Sequence, residues 1–137
     1  PSRCTCQVAG EVKDFETYSA DLVDRKAARH MAQFSRYAVA AAVEAWRDAG
    51  YTEENKPDME RVGTIIGNGI GGMDINFSGF KTLFERGPER LLPTMIPALI
   101  PNECAGNISI ALGAKGPAQV VVTACASSTG WPCASRI

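Results

Sequence analysis

Val62-Gly63-Thr64-Ile65-Ile66 runs straight into Gly67-Asn68-Gly69-Ile70-Gly71-Gly72, and that into an amphipathic stretch from Met73 to Arg86. A short apolar run bounded by turn residues reads as a buried strand. The glycines read as a tight strand-to-helix turn. Phe77, Phe80, Leu83 and Phe84 then recur at helical spacing, and Gly87-Pro88 stops that helix. On the N-terminal side, Phe34, Tyr37, Ala38, Ala41, Ala42, Ala45 and Trp46 predict a helix over 24–49. Asp24 can cap its start, and Gly50 can take the left-handed position past its end. Val8 to Val12 reads as a short strand, residues 14–19 as a loop, and 51–61, with Pro57, as a polar loop. On the C-terminal side, Leu92 to Pro101 carries three prolines among bulky apolar residues and reads as an irregular, buried connection. Asn102 can cap a third helix that reaches Leu112 and ends at Gly113. After a Gly116-Pro117 turn, residues 118–124 read as a second buried strand. Strands alternating with helices predict an α/β fold with a central sheet.

Composition agrees with that class. The chain has 137 residues, 45% hydrophobic and 21% charged, which is ordinary for one globular domain with a core of its own. A net charge of −1 argues against a dedicated nucleic-acid binder. No run approaches the ~20 apolar residues of a membrane helix. The start at Pro1 shows no initiator Met and no signal-peptide pattern, and reads as a processed product or a fragment. The five cysteines, at 4, 6, 104, 125 and 133, have no framework spacing. Cys4-Thr5-Cys6 is too tight for a zinc knuckle, and His30 is the one histidine. No metal site is expected, and a reducing compartment is.

Two motifs carry chemistry. Gly67, Gly69 and Gly72 satisfy G-x-G-x-x-G between a strand and a helix, the literal dinucleotide fingerprint. A dinucleotide unit also needs a second strand ending in an acidic residue about twenty positions on. Here a helix ending at Gly87-Pro88 stands there, so a turn that only glycine fits is the simpler reading. In Thr123-Ala124-Cys125-Ala126-Ser127-Ser128, a strand delivers a cysteine to a turn followed by small residues. A helix starting at Ala126 would aim free N–H groups at the sulfur and favour thiolate, the logic of a nucleophile elbow. The alternative is a buried cysteine acting as a small hydrophobe. Arg25, Lys26, Arg29 and His30 place cations where the helix macrodipole disfavours them. Such a conflict can mark a surface kept for a partner, and a solvated face is the plainer reading.

Three blocks, in order and at matching separations, resemble the β-ketoacyl-[acyl-carrier-protein] synthases of type II, the elongating condensing enzymes. They are Ala9-Gly10-Glu11-Val12-Lys13-Asp14-Phe15 leading to Asp24-Arg25-Lys26; Ile65-Ile66-Gly67-Asn68-Gly69-Ile70-Gly71-Gly72; and Lys115-Gly116-Pro117 with Val122-Thr123-Ala124-Cys125-Ala126-Ser127. The resemblance runs from about Val8 to Ser128 and covers part of the N-terminal half of such an enzyme. It implies a thiolase-like fold, a mixed central sheet flanked by helices, in a single partial domain over 1–137. Residues 1–7 and 130–137 look foreign to it.

The resemblance further implies a homodimer with ping-pong chemistry in fatty-acid elongation. Cys125 would be the nucleophile that takes an acyl group from acyl carrier protein. Malonyl-carrier protein would then lose CO₂ and condense with the thioester. No cofactor is implied; phosphopantetheine arrives on the carrier protein. Ile70, Met95 and Ala124 would line the acyl pocket, Met95 reaching it from the partner subunit. Lys26, Arg29, His30 and Arg90 would form the basic patch for the acidic carrier protein, weakened by Glu89. No nucleic-acid or membrane partner is implied, and the location would be bacterial cytoplasm or an organellar stroma or matrix. The two histidines, the lysine and the phenylalanine loop that such enzymes use for decarboxylation and gating have no counterpart in these residues. The 137 residues alone are therefore expected not to condense. Two other readings fit less well: a ketosynthase segment of a polyketide synthase, and a non-catalytic carrier-protein-binding module, which typically replaces the cysteine.

Overall fold

The computed structural model describes Thr5, Val8 and residues 10–129. The strand read from the central apolar run is β1, Thr64–Gly67. It pairs in parallel with β2, Ala118–Val121, in the register Thr64 with Ala118 through Gly67 with Val121. The connection between them holds α4 (Met73–Arg86), α5 (Met95–Leu99) and α6 (Glu103–Leu112). Helix α6 packs on both strands, and α3 (Gln33–Asp48) packs on α6. The core gathers Phe15, Val23, Val39, Ala40 and Ile108, with Ile66 and Leu112 against it. The α6 face is also stitched to β1 by hydroxyls: Thr64 Oγ1 and Ser109 Oγ lie 3.0 Å apart. Both strands being parallel, the described residues supply one pair of the mixed sheet expected.

Several expectations are corrected. Residues 10–13 form no strand, and Val8 and Val12 are exposed. The loop expected at 14–19 contains a helical turn, α1 (Phe15–Tyr18), because Phe15 is drawn into the core. Its ring packs edge-on against Tyr37 at 4.5 Å, and the Arg36 guanidinium lies over it while bonding Glu16 at 2.6 Å.

The helix expected over 24–49 is two. Helix α2 (Arg25–Ala28) ends, the chain passes through an extended Ala32, and α3 begins at Gln33. Ala32 is fully buried and sits under Gly72, whose added Cβ would lie 3.2 Å from the Ala32 Cβ. Tertiary packing at Ala32 overrides its high helix propensity. With alanine unable to cap, α3 borrows a cap from α4: Gln33 N–H donates to Asp74 Oδ2 at 3.3 Å.

Asp24 does cap α2, accepting from the N–H groups of Lys26 and Ala27. Gly50 and Gly113 both take positive φ just past their helices. Asn102 is helical in its backbone and makes no side-chain cap bond. The stretch 92–101 is neither irregular throughout nor buried throughout: it contains α5, and Leu92 and Ile96 are exposed while Ala98 is buried. The aromatic face of α4 points outward, leaving Phe77, Phe80 and Phe84 exposed. The second strand stops at Val121, three residues earlier than expected. Apart from Thr5, the atypical ends at 1–7 and 130–137 lie outside the described residues.

Candidate active site

The parallel pairing brings the C-terminal ends of β1 and β2 side by side, and each end carries a motif. Asn68 N–H donates to the Val121 carbonyl at 3.2 Å, extending the ladder into the glycine turn. The Asn68 carboxamide oxygen then accepts from the N–H groups of Ile70 (3.2 Å) and Gly71 (3.0 Å). This Asx-type closure shapes the turn. Against it lies the cysteine loop. A Cβ on Gly67 would sit 2.5 Å from the Ser127 carbonyl oxygen, and one on Gly69 would sit 2.8 Å from that of Ala124. The glycines are needed because two backbones touch there. Their open sides are filled by the chain's own cysteine loop and, at Gly72, by α5, so the dinucleotide reading loses its ground.

Cys125 is exposed in a 3₁₀ turn, Ala124–Ala126, directly after β2. The turn is the sharp elbow the sequence suggests, and Ala124 takes a φ of +50° to make it. Among the described residues, the helix expected to begin at Ala126 does not form: the 3₁₀ turn ends there and turns follow through Thr129. The N–H groups of Ala126 and Ser127 donate to the carbonyls of Thr123 and Ala124, so these two donors are spent on the turn and not on the sulfur. Cys104, the other described cysteine, is fully buried under Asn68; burial pushes its thiol pKa up, which disfavours thiolate. Of the two, Cys125 is the one a substrate can reach.

Ile70 stands beside this junction, next to Gly69, with its side chain exposed. Ala124 is in the junction itself. Met95 is elsewhere, packed on Gly79 of α4. It helps line a cavity of about 120 Å³ that includes none of Ile70, Ala124 or Cys125. One copy of the described chain therefore does not assemble the three expected pocket residues around one space.

The same cavity does bring together three of the expected docking residues, Arg29, His30 and Arg90. Lys26 is exposed on α2 but does not line it. Among the described residues, the ion pairs use Arg36, Arg47, Lys56 and Lys115, and none uses Lys26, Arg29 or Arg90. The Asp24 cap satisfies two N–H groups at the start of α2 and offsets the macrodipole conflict there. No cluster of metal-binding side chains occurs among the described residues. Two residues escaped the sequence reading: Asn68 and Ser127. Both are small polar residues inside a glycine or small-residue run, and only the hydrogen bonds they make reveal them.

A type II polyketide ketosynthase solved with its acyl-carrier protein and a bound hexaketide (AntDE:AntF) superposes with a TM-score of 0.74, at 22% identity, over 85% of this chain and 34% of that one. A beta-ketoacyl synthase from Burkholderia phymatum STM815 gives 0.66 at 30% identity, over 80% of this chain and 27% of that one. The fold is thus part of the thiolase-like one, as expected. The chain belongs to the beta-ketoacyl synthase family: the model of its N-terminal domain matches residues 2–131. The chain is similar to the 3-oxoacyl-[acyl-carrier-protein] synthase 2 of Staphylococcus aureus, 45% identical over 122 residues, and to that of Synechocystis sp., 40% over 124. These alignments take in 89% and 90% of this chain but 30% and 29% of those proteins.

Proposed function

We propose that this chain carries the nucleophile of a 3-oxoacyl-[acyl-carrier-protein] synthase acting in fatty-acid elongation. The observation that carries the reading is Cys125, exposed in the loop that follows β2, a loop whose Ala124 and Ser127 backbone lies against the glycine turn of β1. Its thiolate attacks the acyl thioester of a carrier protein, the carrier's pantetheine thiol leaves, and the acyl group rests on sulfur. Malonyl-carrier protein then loses CO₂, and the resulting carbanion attacks that thioester. Cys125 leaves as thiolate and the product is two carbons longer. Sulfur suits both halves, being a good nucleophile and a good leaving group.

Ala124 and Ile70 line the start of the acyl path, and Met95 completes it from the second subunit of a homodimer. That assignment is consistent with one copy keeping Met95 in a separate cavity. Lys26, Arg29, His30 and Arg90 receive the acidic carrier protein, whose phosphopantetheine is the only prosthetic group the reaction needs. The stretch corresponds to 29–30% of its curated relatives, and the groups that drive decarboxylation in the resemblance have no counterpart in it. The 137 residues are therefore expected to take an acyl group but to release no CO₂ from a malonyl thioester.

Cerulenin, an epoxide that alkylates a condensing-enzyme cysteine, tests the reading by intact-protein mass. One adduct, lost in Cys125→Ala, is expected. No adduct, or equal labelling across the five cysteines, would overturn it.

A further inference from the structure

We infer that Ser127 is a positioning residue for Cys125, its hydroxyl clamping the turn that presents the thiol. The inference rests on Cys125 being the nucleophile. Ser127 is 3% exposed, although Ala124, Cys125 and Ala126 before it and Ser128 and Thr129 after it are all exposed. A buried hydroxyl is costly unless it is bonded, and this one is bonded twice. Its Oγ accepts from the Thr123 N–H at 3.0 Å and donates to the Ala124 carbonyl at 2.6 Å. The two bonds bracket the backbone angles of Thr123 and Ala124, which aim Cys125.

Ala124 needs holding. Its φ of +50° is a conformation that L-residues other than Asn and Asp seldom adopt. Such a conformation persists where surroundings over-determine it, and often at functional sites. The turn itself is already closed without the hydroxyl, by Ser127 N–H to Ala124 O at 3.1 Å and Ala126 N–H to Thr123 O at 3.0 Å. What the hydroxyl adds is a partner for the Thr123 N–H and a second bond to the Ala124 carbonyl, so that both sides of the Thr123–Ala124 peptide are held. Ser127 is in turn anchored from the other side, since its carbonyl packs against Gly67 of β1. The chain of contacts runs from β1 through Ser127 to Ala124 and so to the sulfur. Holding a reacting atom in place in this way is a large part of catalysis, and a misplacement of about 1 Å can cost on the order of 100-fold in rate.

The test uses the full 137-residue chain with hexanoyl-pantetheine as acyl donor, reading the rate of acyl transfer to Cys125 by intact mass. Ser127→Ala is expected to slow it about tenfold or more, by the same factor from pH 6 to 9, because position and not proton affinity is lost. Ser127→Thr, which keeps the hydroxyl, should recover most of the rate. Ser128→Ala, an exposed neighbour, should stay within about twofold of the parent. Amide exchange at Thr123 should accelerate in Ser127→Ala alone. A folded Ser127→Ala that acylates within twofold of the parent would overturn the inference.

Should Ser127→Ala fail to fold, Ala124→Gly/Ser127→Ala is compared with Ala124→Gly, glycine accepting the positive φ. A double variant several-fold slower than the single supports the clamp, and equal rates overturn it. A parent chain that takes no acyl group on Cys125 overturns the nucleophile reading instead, and the clamp with it.

Discussion

Replacing Gly69 by alanine should destabilise the fold by about 2–3 kcal/mol. The added Cβ would stand 2.8 Å from the carbonyl oxygen of Ala124, 3.2 Å from its carbonyl carbon and 3.4 Å from its Cα. The nearest atom is about 0.6 Å inside ordinary van der Waals contact, and all three belong to the main chain. No side-chain rotation can relieve that, so relief means parting the β1 turn from the cysteine loop. Overpacking of this kind costs about 1–3 kcal/mol, and a backbone obstacle belongs at the upper end. Gly67→Ala meets three main-chain atoms at 2.5, 2.6 and 2.7 Å, on Ser127 and Ser128. It should cost more than about 3 kcal/mol, a large share of a marginal domain's stability.

Gly106→Ala is the internal control. It lies within α6 with nothing near its Cβ position, so alanine's helix propensity should stabilise by about 0.5–1 kcal/mol. Urea unfolding followed by far-UV circular dichroism reads all three as midpoints at a common slope. The expected order of stability is Gly67→Ala, Gly69→Ala, parent, Gly106→Ala, from lowest to highest. If Gly69→Ala matches or exceeds the parent, the two motif loops are not in backbone contact and the site described above does not exist.

Ala124→Gly relieves the +50° φ and should raise stability by about 0.5–1 kcal/mol after glycine's own entropy cost; a lower melting temperature would contradict the strained elbow. Burial raises the Glu103 carboxyl above its ordinary 4.5, with Ser35 and Asn107 partly offsetting this, and its Oε2 is buried without a partner. A raised acid favours the folded state below the unfolded pKa and loses that benefit as pH climbs through the folded one. The stability gained by Glu103→Gln should therefore grow from about pH 4 upward and then level; a gain independent of pH would contradict it. Asp24→Ala removes the cap bonds to Lys26 and Ala27, worth about 1 kcal/mol, and should speed amide exchange in α2 about fivefold; unchanged exchange would show the cap to be idle. Arg29→Glu and Arg90→Glu should each weaken binding of an acidic carrier protein, most at low salt; titration calorimetry showing unaltered affinity would remove them from the docking face.

The sheet and the elbow were legible in the sequence because both depend on local chemistry: apolar β-branched runs, glycine turns, and a cysteine among small residues. The α3 face was legible in period but not in phase. Ala41 and Ala45 were expected inward and are exposed, while Ser35, Val39 and Ala40 are buried. Ser35 is polar and stands outside the apolar series, yet its hydroxyl accepts from the Asn107 side chain of α6, so it can sit in the interface. The break at Ala32 was invisible for a related reason. Nothing local stops a helix at alanine; the buried Ala32 lies against Gly72, forty residues away in the chain. On α4 the pattern named the apolar face correctly but not its surroundings: periodicity shows that a face exists, not what covers it. Asn68 and Ser127 were missed because a hydroxyl or a carboxamide in a turn is common, and only its partners make it a clamp.

Cys125 is the proposed acyl acceptor, and peptide mapping after incubation with acyl-loaded carrier protein tests that most directly. The result expected is a single acyl group on the peptide holding Cys125, absent in Cys125→Ala, with buried Cys104 unmodified. Acyl groups spread over several cysteines, or a Cys125 that stays free while the donor remains intact, would contradict it.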